Sequence, residues 1–191
     1  MDRIFAYGSL LNKATWSFNA DIELVRADGW VRQWRQIVQT DKGIICALTI
    51  SPSSKSSIDG ILLEVSDSVG RILNKREVGY NKTKIPASRI LQSVQGKIDV
   101  SLKIPAITYT ASKSTIGWAT KKAPILLSYI DVVAKGYFDL FGLEGVKNFF
   151  NTTQGWNLPI LNDRDKPLYP RAVQLNTEFL ELVDQQILLH A

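Results

Sequence analysis

With one cysteine and one histidine, this chain of 191 residues lacks the side chains that several reaction classes need. Cys46 has no second cysteine to pair with inside the chain. It lies in the apolar run Ile44-Ile45-Cys46-Ala47-Leu48, where a thiol is expected to serve as buried packing. His190 is the penultimate residue and is expected to fray. A Ser-His-Asp triad or a Cys-His dyad needs a histidine held within reach of its nucleophile, so neither is expected. Zinc sites built from several Cys and His ligands have no raw material. If the protein is an enzyme without a cofactor, proton transfer falls to a carboxylate, a lysine or a tyrosine.

Long apolar runs are missing too, and no stretch approaches the length of a membrane span. Met1-Asp2-Arg3-Ile4 passes straight into a strand pattern, without a charged leader, an apolar core or a small-residue cleavage site. A cytoplasmic chain with no membrane partner is the expectation. Blocks of like charge are also absent. The formal net charge of +5 is scattered, so no nucleic-acid tail is expected, and a small anionic substrate suits the balance.

What is present is a chain 45% hydrophobic, enough for one core and a single domain over residues 1–191. Strand patterns fill the first half: 2–7, 24–39, 44–50 and 58–65, with a hairpin turn at Asp41-Lys42-Gly43 and a polar loop over 51–57. A short helix follows, capped by Ser66 or Asp67, with Val69, Ile72 and Leu73 as its stripe. Strands over 84–94 and 98–111 are expected to join at Gln95-Gly96. Helical spacing then runs through 124–141, a short helix fits 144–151, and 177–189 ends the chain as a helix. Between them, 157–171 is irregular and carries three prolines. Strands first and helices later indicate α+β, a small, mostly antiparallel β-barrel with helices packed outside. Residues 151–191 form an irregular segment and terminal helix on that body.

Two places carry chemistry. In Ile4-Phe5-Ala6-Tyr7-Gly8-Ser9-Leu10-Leu11 an apolar strand meets a glycine turn. Gly8 permits positive φ and close approach of a ligand to backbone N–H groups. An ordinary strand-to-helix connection has the same spacing. Further on, the Val69/Ile72/Leu73 stripe continues into Arg76 and Glu77, where apolar residues would ordinarily stand. A carboxylate at the mouth of an apolar cavity has its pKa raised by desolvation, which suits a general base. The other reading is an unwound helix end, with Glu77 a solvated partner of Arg76.

Phe5-Ala6-Tyr7-Gly8-Ser9-Leu10 resembles the Tyr-Gly-Ser signature of the γ-glutamylcyclotransferase superfamily. Gly29-Trp30-Val31-Arg32-Gln33-Trp34 is similar to its Gly-aromatic-x-Arg stretch, and Ile58-Asp59-Gly60-Ile61-Leu62 to the strand before its catalytic helix. Leu73-Asn74-Lys75-Arg76-Glu77-Val78-Gly79-Tyr80 resembles the segment with the catalytic glutamate. Ile107-Thr108-Tyr109-Thr110-Ala111 and the helical stretch from Leu127 to Gly136 follow in the family's order. The resemblance implies a mixed barrel with helices, a pocket at one barrel end, and cyclisation of a γ-glutamyl group to 5-oxoproline without a cofactor. It implies that Glu77 carries the proton, that the backbone from Ile4 to Ser9 holds the glutamyl group, and that Tyr80 and Ala111 lie by the substrate. Arg76, Gly79 and Tyr80 look closer to the glutathione-specific branch, although that branch often has two glycines before the tyrosine. The expected partner is a small anionic γ-glutamyl compound, with the protein a monomer or homodimer. A non-catalytic relative binding a small ligand or a protein is the alternative.

Two further stretches read either way. Trp30, Arg32 and Trp34 alternate on one strand face, as a base-stacking surface would, or as core with one snorkelling arginine. The segment 162–171 is a solvated loop, or a rigid flap that lays Arg164 or Arg171 on an anionic substrate.

Overall fold

A computed structural model describes residues 2–94, 97–101 and 105–191. Its centre is one long hairpin. β2 (Asp21–Thr40) and β3 (Gly43–Val65) run antiparallel from Asp21↔Glu64 to Thr40↔Gly43. The turn forms at Asp41 and Lys42, as the sequence indicates. The Thr40 hydroxyl closes it, accepting from the Lys42 N–H at 3.1 Å and donating to the Gly43 carbonyl at 2.8 Å. The polar stretch 51–57 is not a separate loop but part of β3. Trp30 faces Pro52 and Asp28 faces Ser57, so the residues between bulge outward opposite Gly29, whose φ of 79° suits glycine alone.

The remaining strands are β1 (Asp2–Ala6), β4 (Tyr80–Ile85), β5 (Ile90–Val94), β6 (Lys97–Ser101) and β7 (Ala106–Ala111). The expected 84–94 strand is thus split at Pro86, which cannot donate to a ladder. The expected Gln95-Gly96 turn lies outside the described residues, as do 102–104 of the expected 98–111 strand. Sheet order is β4-β7-β1-β3-β2-β5-β6. β4 and β6 do not pair with each other, so among the described residues the sheet curls without closing.

The sheet is also mixed rather than wholly antiparallel, though its long pairings are antiparallel. β1 pairs with β7 in parallel, and three short strands enter in parallel: β8 (Ile125–Leu126) on β3, β9 (Thr153–Gln154) on β2, and β10 (Ile160–Leu161) on β8. The reason is connectivity. These strands return to the sheet after long crossovers, which permit parallel pairing where a tight turn does not.

Three helices complete the α+β fold: α1 (Asp67–Arg76), α2 (Leu127–Asn151) and α3 (Thr177–His190). α2 starts three residues later than its spacing predicts. The Pro124 carbonyl accepts from Cys46 N–H at 2.8 Å, which keeps 124–126 extended along β3. Gly142, with a φ of 66°, kinks α2 between the two helical stretches read separately in the sequence. Ile130, Val133 and Tyr137 of α2 share one core with Phe5, Trp34, Leu48 and Ile61 of the sheet. Cys46 sits in that core, and burial pushes its thiol up to about 12. Among the described residues no helix is long and apolar enough to cross a membrane.

The segment 162–171 is clamped at Asp163 and Arg164, while Asn162, Asp165, Lys166, Pro167 and Pro170 are exposed. Asp163 accepts from the Ser128 N–H at 2.8 Å and the Ser128 hydroxyl at 2.6 Å, at the start of α2, and from Leu168 N–H at 2.8 Å. Arg164 grips Asp131 with two 2.8 Å bonds and reaches Asp184 of α3 at 2.8 Å. Burial lowers the affinity of Arg164 for its proton, but the two carboxylates outweigh it and raise its pKa. Arg164→Met would strand the buried Asp131 carboxylate. It should lower the free energy of urea unfolding by about 2 kcal/mol while leaving KM for any substrate unchanged.

Candidate active site

Glu77 reaches its place because α1 stops where it does. Ser66 caps the helix, accepting from Val69 N–H at 3.4 Å, and Asp67 and Lys75–Arg76 suit the dipole at its two ends. The Glu77 N–H makes the final helical bond, to Leu73 at 2.9 Å. Gly79 then turns the chain at a φ of 91°, and Tyr80 N–H closes back on the Glu77 carbonyl at 3.2 Å. The inward face is Leu73, Arg76 and Glu77; Ile72, expected in the stripe, is 39% exposed.

β1 ends at Ala6, and a 3-10 turn over Ser9–Leu11 begins as Leu11 N–H bonds the Gly8 carbonyl at 3.0 Å. The opening N–H groups of such a turn have no partner within it. Gly8 has a φ of −130°, so the positive φ its glycine permits is not used. What the glycine supplies is space. A Cβ there would stand 3.3 Å from the Tyr129 hydroxyl.

Arg76 ties turn and helix together. It donates to the Thr15 carbonyl at 2.9 Å, the Thr15 hydroxyl at 3.1 Å and the Ser9 hydroxyl at 3.0 Å, and its Nε lies 3.4 Å from Glu77 Oε1. Glu77 and the turn consequently face one narrow slot of about 40 Å³. Its walls are Phe5 to Leu10, Leu48, Glu77, Tyr80, Tyr109 and Tyr129. Burial raises the Glu77 carboxyl above its ordinary range, and the positive charges of Arg76 and Arg171 offset only part of that. Burial also lowers the pKa of Arg76. The tyrosines stay protonated. Burial, reinforced by the Glu77 charge, pushes Tyr109 up to about 12, and Tyr7, Tyr80 and Tyr129 rise as well. Tyr80 donates to the Leu48 carbonyl at 2.9 Å, Tyr109 to Asn74 at 2.9 Å, and Tyr7 to the Tyr109 carbonyl at 2.5 Å.

The structure brings most of the sequence-derived residues together. Glu77, Phe5, Ala6, Tyr7, Gly8, Ser9, Leu10 and Tyr80 line the slot. Ile4 does not. It is a core residue pairing with Leu63 and Ile107. Ala111 pairs with Tyr80 and gives its N–H to Thr49 at 2.8 Å, behind the wall; Tyr109, two residues earlier on the same strand face, lines the slot instead. Arg164 is occupied by Asp131 and Asp184 and is not among the lining residues. Arg171 does not line the slot either, but its charge acts on both Arg76 and Glu77. It follows Tyr169, whose ring packs 4.8 Å from that of Tyr129. Leu48, Tyr109 and Tyr129 are the lining residues that sequence reading missed. Each fits a core pattern, and only the hydroxyls of buried tyrosines, which need partners, hint at more.

His190 is the last residue of α3 rather than frayed. Its ring nitrogens lie 2.7 Å from the Gln186 carbonyl and 2.8 Å from Asn151, and it does not line the slot. The Trp30–Trp34 face is closed off: Trp34 and Arg32 are fully buried and Trp30 nearly so, so it is core, and Arg32 does not snorkel.

No sequence model of a protein family matches the chain, and no curated protein does. Solved structures match in shape. One named "Gamma-glutamyl cyclotransferase" has a TM-score of 0.62 at 15% identity, over 96% of this chain and 98% of that one. A Homo sapiens protein described as uncharacterized has a TM-score of 0.61 at 15% identity, over 96% and 98%. A yeast gamma-glutamyl cyclotransferase specific to glutathione has 0.50 at 13% identity, over 97% and 96%. This chain has the γ-glutamylcyclotransferase-like fold.

Proposed function

We propose that the protein converts a small γ-glutamyl compound to 5-oxoproline and the free amine, with Glu77 as the proton carrier. One observation carries the reading: the buried Glu77 carboxylate and the Gly8 turn face the same slot. The fold shared with gamma-glutamyl cyclotransferase structures supports it.

The chemistry needs no enzyme nucleophile. The substrate's α-amine attacks its own γ-carbonyl carbon and closes a five-membered lactam. The bond from that carbon to the leaving nitrogen then breaks. Two protons move from the α-nitrogen to the leaving nitrogen, and Glu77 takes and returns them in turn. Holding the chain in the ring-closing geometry lowers the barrier by about 7–11 kcal/mol at most. N–H groups of the Gly8–Leu10 turn bind the α-carboxylate or the oxyanion of the tetrahedral intermediate. The slot as it stands has room for a few waters, so binding moves its walls outward.

Arg171 is the residue we assign to an anionic leaving group. Arg171→Ala should raise KM about tenfold for γ-glutamyl amino acids, and leave KM for γ-glutamylamines as it was. Removing that charge also lifts Glu77 further, so the acid limb of kcat/KM should move to higher pH. Steady-state kinetics across pH with the two substrate types checks both. The narrowness of the slot favours a second reading, a relative that binds a small ligand without turnover. Assay for 5-oxoproline separates the two.

A further inference from the structure

The last carbonyl before the glycine turn is held by a buried guanidinium and faced by a buried tyrosine hydroxyl. β1 leaves the sheet after Ala6, so the Tyr7 carbonyl has no strand partner. It accepts from Arg32 Nε at 3.0 Å. The Tyr137 hydroxyl lies 3.1 Å away, but its single proton has a nearer acceptor in the Asp59 carbonyl at 2.7 Å, and the hydroxyl itself accepts from Arg32 Nη2. Arg32 is fully buried. Its other nitrogens donate to the Asp59 carbonyl at 3.0 Å and the Thr153 hydroxyl at 3.1 Å. Its guanidinium lies 4.9 Å and 5.2 Å from the ring centres of Tyr137 and Phe149. The Asp59 carboxylate is taken by Arg26 at 2.7 Å. A neutral donor would satisfy a strand-end carbonyl with far less desolvation than a buried guanidinium.

The consequence lies on the other side of the peptide. Among the described residues every peptide bond is trans. In a planar trans peptide, fixing the Tyr7 C=O fixes the Gly8 N–H in the opposite direction. Gly8 lines the slot that Glu77 faces. Donation of a charged group into the carbonyl also polarises the peptide, which makes that N–H a stronger donor.

We infer that Arg32, braced by Tyr137, is a positioning residue whose hold on the Tyr7 carbonyl aims the Gly8 N–H at a negatively charged oxygen of the bound substrate. For the identity of that oxygen the inference rests on the proposed cyclisation: it is the α-carboxylate or the oxyanion of the tetrahedral intermediate. Neither side chain touches substrate.

Two mild variants test it. Tyr137→Phe keeps the ring stacked on Phe149 and removes the hydroxyl that braces Arg32 against the Asp59 carbonyl. Arg32→Lys keeps the charge but loses the planar fork that serves two carbonyls at once. Each should fold and lose about 10- to 100-fold in kcat/KM. A γ-glutamyl amide and the matching γ-aminobutanoyl amide, which lacks the α-carboxylate, tell the two oxygens apart. If the N–H holds the α-carboxylate, the loss falls on KM with the first substrate and vanishes with the second. If it holds the oxyanion, the loss falls on kcat with both. Variants that melt lower yet keep the wild-type kcat and KM overturn the inference, because a merely structural role moves stability alone. A second readout needs no turnover: 5-oxoproline titrated into isotope-labelled protein should shift the Gly8 amide resonance, and shift it less in Tyr137→Phe. If no γ-glutamyl compound is cyclised but that pattern holds, the reaction falls and the positioning role stands. A Gly8 resonance indifferent to 5-oxoproline overturns the role.

Discussion

Glu77→Gln should cyclise γ-glutamyl compounds about 10²–10⁴-fold more slowly than the wild type, while folding normally and still binding substrate. The amide keeps the shape of the carboxylic acid and cannot carry a proton. Stability supplies an independent check with a definite sign. Burial raises the Glu77 carboxyl in the folded protein above its value in the unfolded chain. The folded state therefore binds that proton more tightly, and stability falls as pH rises from the unfolded value through the folded one. Glutamine has no proton to lose. Thermal melts of the two proteins should coincide well below the ordinary carboxylate range and separate above the raised one, with Glu77→Gln the more stable. A variant that is less stable at neutral pH would mean that Arg76 and Arg171 hold the carboxylate more strongly than burial repels it.

Gly136→Ala should damage fold and site together. Gly136 is where α2 meets the turn: a Cβ there would stand 2.7 Å from the Asn12 nitrogen and 2.8 Å from the Leu11 carbonyl carbon. Both are backbone atoms, so relief requires helix and turn to part. Overpacking of this kind costs about 1–3 kcal/mol. The displaced turn is the one that presents Gly8 and Ser9 to Glu77, and a shift of about 1 Å can cost roughly 10²-fold in rate. Gly142→Ala is the control. Its φ of 66° strains any other residue, yet a Cβ there meets nothing within 4 Å. That variant should lose stability and keep its kinetics. Loss of activity in Gly142→Ala equal to that in Gly136→Ala would remove the link between helix packing and the turn.

Local features of this fold were legible where one stretch of chain contains its own reason. The β1–Gly8 turn, the Asp41-Lys42 hairpin and the α2 periodicity are of that kind. So is Glu77, conspicuous as a charge at the end of an inward helix stripe, although the helix has already stopped there and Arg76 is its partner, as the other reading has it. The misreadings share a cause in distant partners. The serine-rich stretch 51–57 looks like a loop, yet both its ends pair with β2 and only 53–56 bulge away. Parallel pairing of β1 with β7 joins residues about a hundred positions apart, beyond any periodicity. Arg164 looks solvated because Asp131 and Asp184 sit on two separate helices. Arg32 looks like a snorkelling side chain because its acceptors, at Tyr7, Asp59 and Thr153, come from three other parts of the chain. Tyr109 and Tyr129 satisfy core patterns so well that their hydroxyls pass unnoticed.

The most direct measurement is the release of 5-oxoproline from glutathione, γ-glutamyl dipeptides and γ-glutamylamines, followed with wild-type protein and Glu77→Gln side by side. Wild type should release 5-oxoproline and free amine in equal amounts from at least one of them, and the variant almost none. No release from any of the three, or equal release by both proteins, would contradict a buried carboxylate that carries protons for ring closure at the Gly8 turn.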